Sequence, residues 1–146
     1  MSALDGIAIR VEPPEWAASN ALPLLHEVRH ALRNLLATGE STVIDLFAIP
    51  FGPGDERALL EALGEGEVTA HLQALGESRI VETAYPGVWL VDHHNADGQR
   101  IAYHVEIANV PQVLSAQTED VADGLRRLES ALAGSVGPDT PPANNG

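Results

Sequence analysis

Residues 63–92 read LGEGEVTAHLQALGESRIVETAYPGVWLVD. In this stretch Gly64, Gly66, Gly76 and Gly87 separate short runs in which apolar and polar side chains alternate. Such alternation between turn-forming residues is typical of β-strands joined by short loops. The stretch contains no nucleophile–base pair, no phosphate-binding loop and no cysteine. It therefore indicates a surface that is presented to a partner rather than a reaction centre.

A hairpin follows directly in the sequence, with predicted strands at 87–94 and 99–108. The loop Asn95-Ala96-Asp97-Gly98 predicts a type I turn closed by a left-handed Gly98. The register that this turn implies sets Trp89 and Val91 opposite Val105 and Tyr103, so that one face stays apolar. Upstream, residues 78–84 predict a further strand, and residues 68–72 predict a strand or a partly helical segment.

Helical periodicity appears in three other places. Residues 21–37 predict a helix capped by Asn20 and ended by Gly39, and a short helix is predicted from Asp55 to Leu63. A last helix is expected from Thr118 to about residue 133. The apolar stripes expected to be buried are Leu25, Val28, Leu32, Leu35 and Leu36 on the first helix, and Val121, Leu125, Leu128 and Leu132 on the last.

Residues 42–49, TVIDLFAI, are apolar almost throughout, which predicts a central strand covered on both faces. The predicted fold class is therefore α+β, with a largely antiparallel sheet of four to five strands packed against two longer helices and one short helix. We expect an N-terminal extension over residues 1–20, a single domain over 21–134, and a disordered, proline-rich tail over 135–146.

The composition narrows the classes of partner. Lys and Arg number 8 against 21 Asp and Glu, which gives a formal net charge of −13. Such a charge opposes binding to nucleic acid and to anionic membranes, and it suits either a basic partner segment or simple solubility. The absence of cysteine excludes disulfides and thiolate metal sites. No signal peptide or membrane span is visible, so a cytoplasmic location is expected.

The sequence His26-Glu27-Val28-Arg29-His30 is a literal H-E-x-x-H on a predicted helix. In metalloproteases this spacing places two zinc ligands on one helical face, with the glutamate activating water. A third ligand is also needed, and His71, Glu82, His93 and His94 have no spacing that singles one out. Because His26 and His30 project away from the apolar stripe, a solvated helix face is favoured over metal handling and over a zinc hydrolase. No metal site and no cofactor are predicted.

Three other polar positions have structural interpretations. His93 and His94 are neighbours on a strand and point to opposite faces, so they cannot chelate one ion together. Asp45 lies in an apolar strand, where a buried acceptor for a loop N–H or an arginine is expected. Glu82 is expected to be a solvated strand carboxylate.

Five segments taken together resemble the C-terminal region of the hydrogenase expression proteins of the HupH/HyaF family. These segments are LPLLHEVRHALRNLLATGE (22–40), TVIDLFAIPFGPGD (42–55), LGEGEV (63–68), RIVETAYPGVWLV (79–91) and VP (110–111). The resemblance implies a non-enzymatic, chaperone-like role in maturation of [NiFe] uptake hydrogenase. It implies binding to the small-subunit precursor and to other hydrogenase accessory proteins. It supplies no catalytic residues, and typical members are about twice as long.

The predicted partner-binding site lies on the turn 82–87 and the strand after it, and its residues are Glu82, Tyr85, Pro86, Gly87 and Trp89. Tyr-Pro-Gly gives a rigid turn that would hold Tyr85 at a fixed place on the surface. Tyrosine is favoured as an interface anchor because it offers a large contact area at a low cost in conformational entropy. The alternative is that the turn only forms a corner at the end of the sheet.

Overall fold

A computed structural model describes residues 12–74 and 76–136. The first residues of the predicted N-terminal extension and the predicted tail from residue 137 onward lie outside this part of the chain. The chain divides into two compact units, one through Pro111 and one from Gln112.

The first unit contains two helices and a five-stranded antiparallel sheet, in the order β1-β5-β4-β3-β2. Its elements are α1 (Ala21–Thr38), β1 (Thr42–Asp45), α2 (Asp55–Leu63), β2 (Thr69–Gln73), β3 (Glu77–Glu82), β4 (Val88–His94) and β5 (Arg100–Ile107). Short 3-10 turns span Glu15–Ala18 and Leu46–Ala48. The second unit contains a 3-10 turn at Gln112–Leu114 and helix α3 (Thr118–Val136). The predicted α+β class, with two longer helices and one short helix, is confirmed.

Helix α1 has nearly the bounds that the sequence predicts. It ends at Gly39, whose φ of 78° lies in the left-handed region. Asn20 occupies the N-cap position, as predicted, but its side chain makes no cap hydrogen bond and donates instead to Asp55 at the start of α2. The Ser19 hydroxyl accepts a hydrogen bond from the Ala21 backbone N–H.

The core lies between α1, α2 and one face of the sheet. It consists of Ala21, Leu24, Val28, Ala31, Leu46, Ala58, Leu59, Leu63, Val88, Tyr103, Val105 and Ile107. Leu25, Leu32 and Leu35 pack against this core, as their helical spacing predicts. The prediction that Leu36 is buried is wrong, because 89% of its surface is exposed.

The prediction of a central strand over residues 42–49 is wrong. β1 ends at Asp45, and among the described residues it pairs only with β5, so it is an edge strand. The apolar run continues into a 3-10 turn, where Leu46 enters the core. Asp45 accepts a hydrogen bond from the Phe47 N–H over 2.9 Å, as expected for a loop acceptor, but its side chain is exposed rather than buried.

The predicted turn between β4 and β5 is confirmed, but the predicted strand register is wrong. Gly98 has φ 80°, and its N–H donates to the carbonyl oxygen of Asn95 over 3.0 Å. A β-bulge between His93 and His94 then shifts the register by one residue. Trp89 consequently lies opposite Glu106, and Val91 lies opposite His104. Because side chains alternate along a strand, Trp89 and Val91 lie on the face away from Val105 and Tyr103.

Helix α3 belongs to the second unit. It begins at Thr118, as predicted, with Glu119 and Asp120 in its first turn. The predicted burial of its apolar stripe is wrong, because each of its members is between 56% and 58% exposed: Val121, Leu125, Leu128 and Leu132. Within residues 112–136 of the second unit, a three-residue 3-10 turn is the only other element beside α3.

Candidate functional site

The loop between β3 and β4 is a tight turn with internal hydrogen bonds. The Thr83 N–H donates to the Val88 carbonyl oxygen over 3.0 Å, and the Val88 N–H donates to the Tyr85 carbonyl oxygen over 3.0 Å. The Thr83 hydroxyl accepts from the Tyr85 N–H over 3.2 Å and lies 3.3 Å from the Tyr85 carbonyl oxygen. A threonine that bonds the backbone two residues later stabilises a turn locally. The backbone beside Tyr85 is therefore fixed within the turn itself.

Neighbouring elements hold the same turn from outside. The Ala84 N–H donates to the carbonyl oxygen of Leu63, at the end of α2, over 2.9 Å. The Ala108 N–H donates to the Gly87 carbonyl oxygen over 2.9 Å. Gly87 has φ 90°, and a Cβ atom placed there would lie 3.5 Å from Cδ2 of Leu32 on α1. The end of α2 and the residue after β5 thus bond to the turn, and the Leu32 side chain of α1 lies beside it.

Apolar side chains are exposed around this turn. Tyr85 is 51% exposed and Pro86 is exposed beside it. Leu36 is exposed and follows Leu32 by one helical turn on α1. Val110 is also exposed and comes two residues after Ala108. Since Leu32 and Ala108 both approach Gly87, these side chains belong to one end of the sheet. We call Leu36, Tyr85, Pro86 and Val110 the turn surface.

The other two predicted site residues support the turn. Glu82 is half-buried, and its carboxylate accepts a hydrogen bond from the Glu67 N–H over 3.2 Å, so it is not a simple solvated strand carboxylate. Trp89 lies opposite Glu82 and is only 7% exposed. Its Nε1 donates to the Ala108 carbonyl oxygen over 3.1 Å. The structure therefore brings all five predicted residues together, but of these only Tyr85 and Pro86 are exposed.

Sequence reasoning did not identify Leu36 and Val110 as part of this surface. Leu36 lies about 80° around the helix from Val28 at 3.6 residues per turn, which already places it at the rim of the apolar stripe. Val110 stands next to Pro111, whose position predicts the end of strand pairing. Both signals were present in the sequence, although neither one alone identifies a surface.

The H-E-x-x-H segment faces outward. His26, Glu27 and His30 are exposed on α1 and line a groove of about 760 Å³ between α1 and β1, together with Asp45. Over residues 12–74 and 76–136, no group of three His, Asp or Glu side chains is arranged to hold a metal ion. The predicted position of the two histidines away from the buried stripe is confirmed.

The remaining histidines lie near the hairpin. Burial lowers the pKa of His93, and the nearby His104, with its ring centroid 6.3 Å away, lowers it further. His94 Nδ1 lies 3.5 Å from Oδ1 of Asp92, so His93 and His94 have separate neighbours. His104 Nε2 lies 3.2 Å from Oε1 of Glu106, a carboxylate that is itself buried. No helix among the described residues is long and apolar enough to cross a membrane.

Known proteins match this chain over most of its length. It is 41% identical over 114 residues to the hydrogenase expression/formation protein HoxQ of Azotobacter vinelandii. This match covers 75% of this chain and 39% of that protein. It is 32% identical to the hydrogenase expression/formation protein HupH of Rhizobium leguminosarum bv. viciae, over 80% of this chain and 41% of that protein. The chain thus spans about two fifths of the length of these relatives.

A solved structure shares the fold. The hydrogenase expression protein HupH from Thiobacillus denitrificans matches with a TM-score of 0.76 and 43% sequence identity, over 80% of this chain and 98% of that one. A profile described as the C-terminal conserved region of the HupH hydrogenase expression protein matches residues 18–134, which include every helix and strand of the first unit and most of α3. The chain therefore belongs to the HupH hydrogenase expression protein family, as the resemblance of its five sequence segments indicated.

Proposed function

We propose that this chain is a non-enzymatic accessory protein in the maturation of [NiFe] uptake hydrogenase, acting in the cytoplasm. In this proposal its turn surface binds the precursor of the hydrogenase small subunit. The names of its relatives support the role in hydrogenase formation. The observation that carries the choice of surface is the half-exposed Tyr85, held on a turn that hydrogen bonds connect to the end of α2 and to the residue after β5.

A fixed turn makes a good binding surface for an energetic reason. Association costs free energy when side chains and loops become ordered, and a preorganised surface reduces that cost. The hydrogen bonds from Thr83 and Ala84 already restrict the backbone on either side of Tyr85. Leu36 and Val110 add exposed apolar area to the turn surface, as does Pro86 beside Tyr85. Interfaces often place an aromatic anchor at the centre of such a patch.

The charge of the chain supports binding to a protein partner with basic segments. At −13 the chain attracts cationic segments over distances of about 8 Å at physiological salt. This attraction raises the rate of encounter, while the apolar turn surface would supply most of the affinity. The same surface is offered to other hydrogenase accessory proteins, and the proposed role needs no cofactor on this chain.

The experiment is capture of the small-subunit precursor by tagged wild-type protein and by the double variant Tyr85→Ala/Glu82→Gln. Glutamine keeps an oxygen that can accept from the Glu67 N–H, so the strand should stay in place. We expect unchanged melting temperature and at least about a tenfold loss of captured precursor, which corresponds to the loss of one anchor residue.

The matched control is Ile101→Ala. Ile101 is 59% exposed and lies at the opposite, Asn95–Gln99 end of the hairpin, so this variant removes apolar surface far from the turn. It should capture as much precursor as the wild type. Full capture by the folded double variant, with hydrogenase activity restored in a deletion strain, would show that the turn is only a corner of the sheet.

A further inference from the structure

The groove between α1 and β1 lies beside a strand edge that pairs with no other strand among residues 12–74 and 76–136. The hydrogen bond from the Ala108 N–H to the Gly87 carbonyl oxygen fixes which β5 residues bond to β4. In an antiparallel sheet, successive residues of a central strand bond alternately to one neighbour and then to the other. Ile107 and Val105 therefore bond to Thr42 and Ile44 of β1. The N–H and C=O of Val43 consequently point away from the sheet.

Nothing among the described residues covers this edge. Within the described part of the chain, the Val43 backbone bonds to no loop and to no strand on its outward side, and the Val43 surface is 56% exposed. An open edge is a template for a further strand. β1 is four residues long, so it offers a template of roughly 13 Å at about 3.3 Å per residue.

The groove is bounded on its other side by the outward face of α1. His26, Glu27 and His30 line it from the helix, and Asp45 lines it from the strand. Among its described lining residues, Glu27 and Asp45 are acidic and none is Lys or Arg. Arg29 and Arg33 of α1 are not among the residues that line it. A segment lying in the groove therefore meets negative charge.

We propose that the groove is a docking site for an extended, arginine- or lysine-containing segment of a partner protein, which adds to β1 as a sixth strand. The backbone of the segment bonds to Val43, and alternate side chains face α1. A basic side chain there meets Glu27, and Asp45 adds negative charge at the end of β1. Strand addition of this kind takes affinity from main-chain hydrogen bonds and specificity from alternate side chains. This site is separate from the turn surface, so an experiment can disprove the proposal for one site without affecting the proposal for the other.

The first test measures fluorescence anisotropy of a labelled nine-residue peptide in which arginine alternates with valine, using the full chain. We expect this peptide to bind, and the same peptide with glutamate in place of arginine to bind at least about tenfold more weakly. Glu27→Gln/Asp45→Asn should weaken binding of the arginine peptide at least about tenfold. The asparagine keeps an oxygen for the Phe47 N–H.

The matched charge control is Glu65→Gln/Asp97→Asn, which removes two exposed carboxylates elsewhere and should change binding less than about twofold. If both double variants bind equally, only the total charge of the protein attracts the peptide, and the proposed groove is wrong. Failure of the arginine peptide to bind the wild type would also overturn the proposal.

The second test addresses the strand edge directly. Val43→Pro removes the outward N–H without removing a bond to β5, and it should abolish peptide binding. His71→Pro is the matched control, because His71 is an outward-facing residue of β2 at the other edge of the sheet. The control should bind the peptide as the wild type does. Equal binding by folded Val43→Pro would refute strand addition.

Hydrogen exchange of the wild type decides the same point if Val43→Pro does not fold. Saturating peptide should slow exchange of the Val43 amide at least about tenfold and leave the His71 amide unchanged, because only the first would gain an acceptor. Unchanged exchange at Val43 with peptide bound would mean that the peptide lies elsewhere.

Discussion

The side-chain amide of Asn20 donates a hydrogen bond to Oδ2 of Asp55 over 2.8 Å, and this bond joins the residue before α1 to the first residue of α2. The Asn20 backbone N–H donates to Oδ1 of the same carboxylate over 3.2 Å, and the Gly52 N–H donates to Oδ2 over 2.7 Å. Asp55 is buried by these contacts. The bonds, that of the Asn20 side chain above all, lower the pKa of Asp55 below its ordinary value.

This depressed pKa predicts a pH-dependent contribution to stability. The contribution is fully present above the ordinary pKa of 3.8 and is lost as the pH falls from there through the lower pKa of the folded state. Urea unfolding should therefore show that Asp55→Asn is less stable than wild type by a constant margin between about pH 5 and 7, and that the margin shrinks below 3.8. Asp97→Asn, in an exposed turn, serves as the control. A margin that stays constant down to about pH 3 would contradict this assignment.

Trp89 should contribute to stability rather than to an accessible surface. Trp89→Ala should lower the free energy of unfolding by about 3–5 kcal/mol, because it leaves a cavity in a buried site. Trp89→Phe should cost about 1–2 kcal/mol, because the Ala108 carbonyl oxygen loses the indole N–H. Tyr85→Ala, at a half-exposed site, should stay within about 0.5 kcal/mol of wild type. Equal costs for the two alanine variants would show that Trp89 is not buried.

Gly87 should be sensitive to substitution for a conformational reason. At φ 90° an alanine adopts a backbone geometry that costs roughly 1–2 kcal/mol, and its Cβ would also contact Leu32. Gly87→Ala should therefore lower the free energy of unfolding by about that amount and weaken precursor capture by displacing Tyr85. Gly134→Ala is the contrasting variant, because nothing lies within 4 Å of that helical position and alanine favours the helix. A silent Gly87→Ala would mean that the turn relaxes freely.

The paired histidines of α1 should bind zinc and nickel only weakly. His26 and His30 are exposed, and no third ligand is arranged beside them among the described residues. Titration calorimetry should show no submicromolar site, and His26→Ala/His30→Ala should change neither the titration nor the melting temperature appreciably. A tight one-to-one site that disappears in His30→Ala would support metal handling instead.

The elements that the sequence predicts well are those whose signals are local. Gly39 and Gly98 adopt the left-handed conformations that their positions require, and α1 and α2 follow their helical periodicity. The errors concern relations between distant residues. The apolar run 42–49 predicts a central strand, because such a run does not reveal that Leu46 leaves the strand and packs into the core. The bulge at His93 shifts the register of the hairpin, and no glycine or proline beside it marks its position in the sequence.

The sequence predicts which residues lie together in the candidate site, but not which of them are exposed to solvent. The rigid Tyr85-Pro86 turn follows from proline and glycine geometry alone, and its residues do lie together. The burial of Trp89 depends on the shifted register, which sends its ring to the face opposite Tyr103. The Val43 backbone faces outward because β1 lies at the edge of the described sheet, and no local sequence pattern encodes the order of strands.

The pairing of β1 with β5 has a consequence for the order of folding. About 65 residues of chain separate Thr42 from its partner Ile107, whereas β2 to β5 pair with their immediate neighbours along the chain. Closing so long a loop costs more entropy and slows the contact, so we expect the meander to form first and β1 to join it last. Pulsed hydrogen exchange during refolding should protect the Val91 amide before the Ile44 amide. The reverse order would show that β1 nucleates the sheet, whereas the expected order means that β1 stays without its β5 partner until strands β2 to β5 have paired.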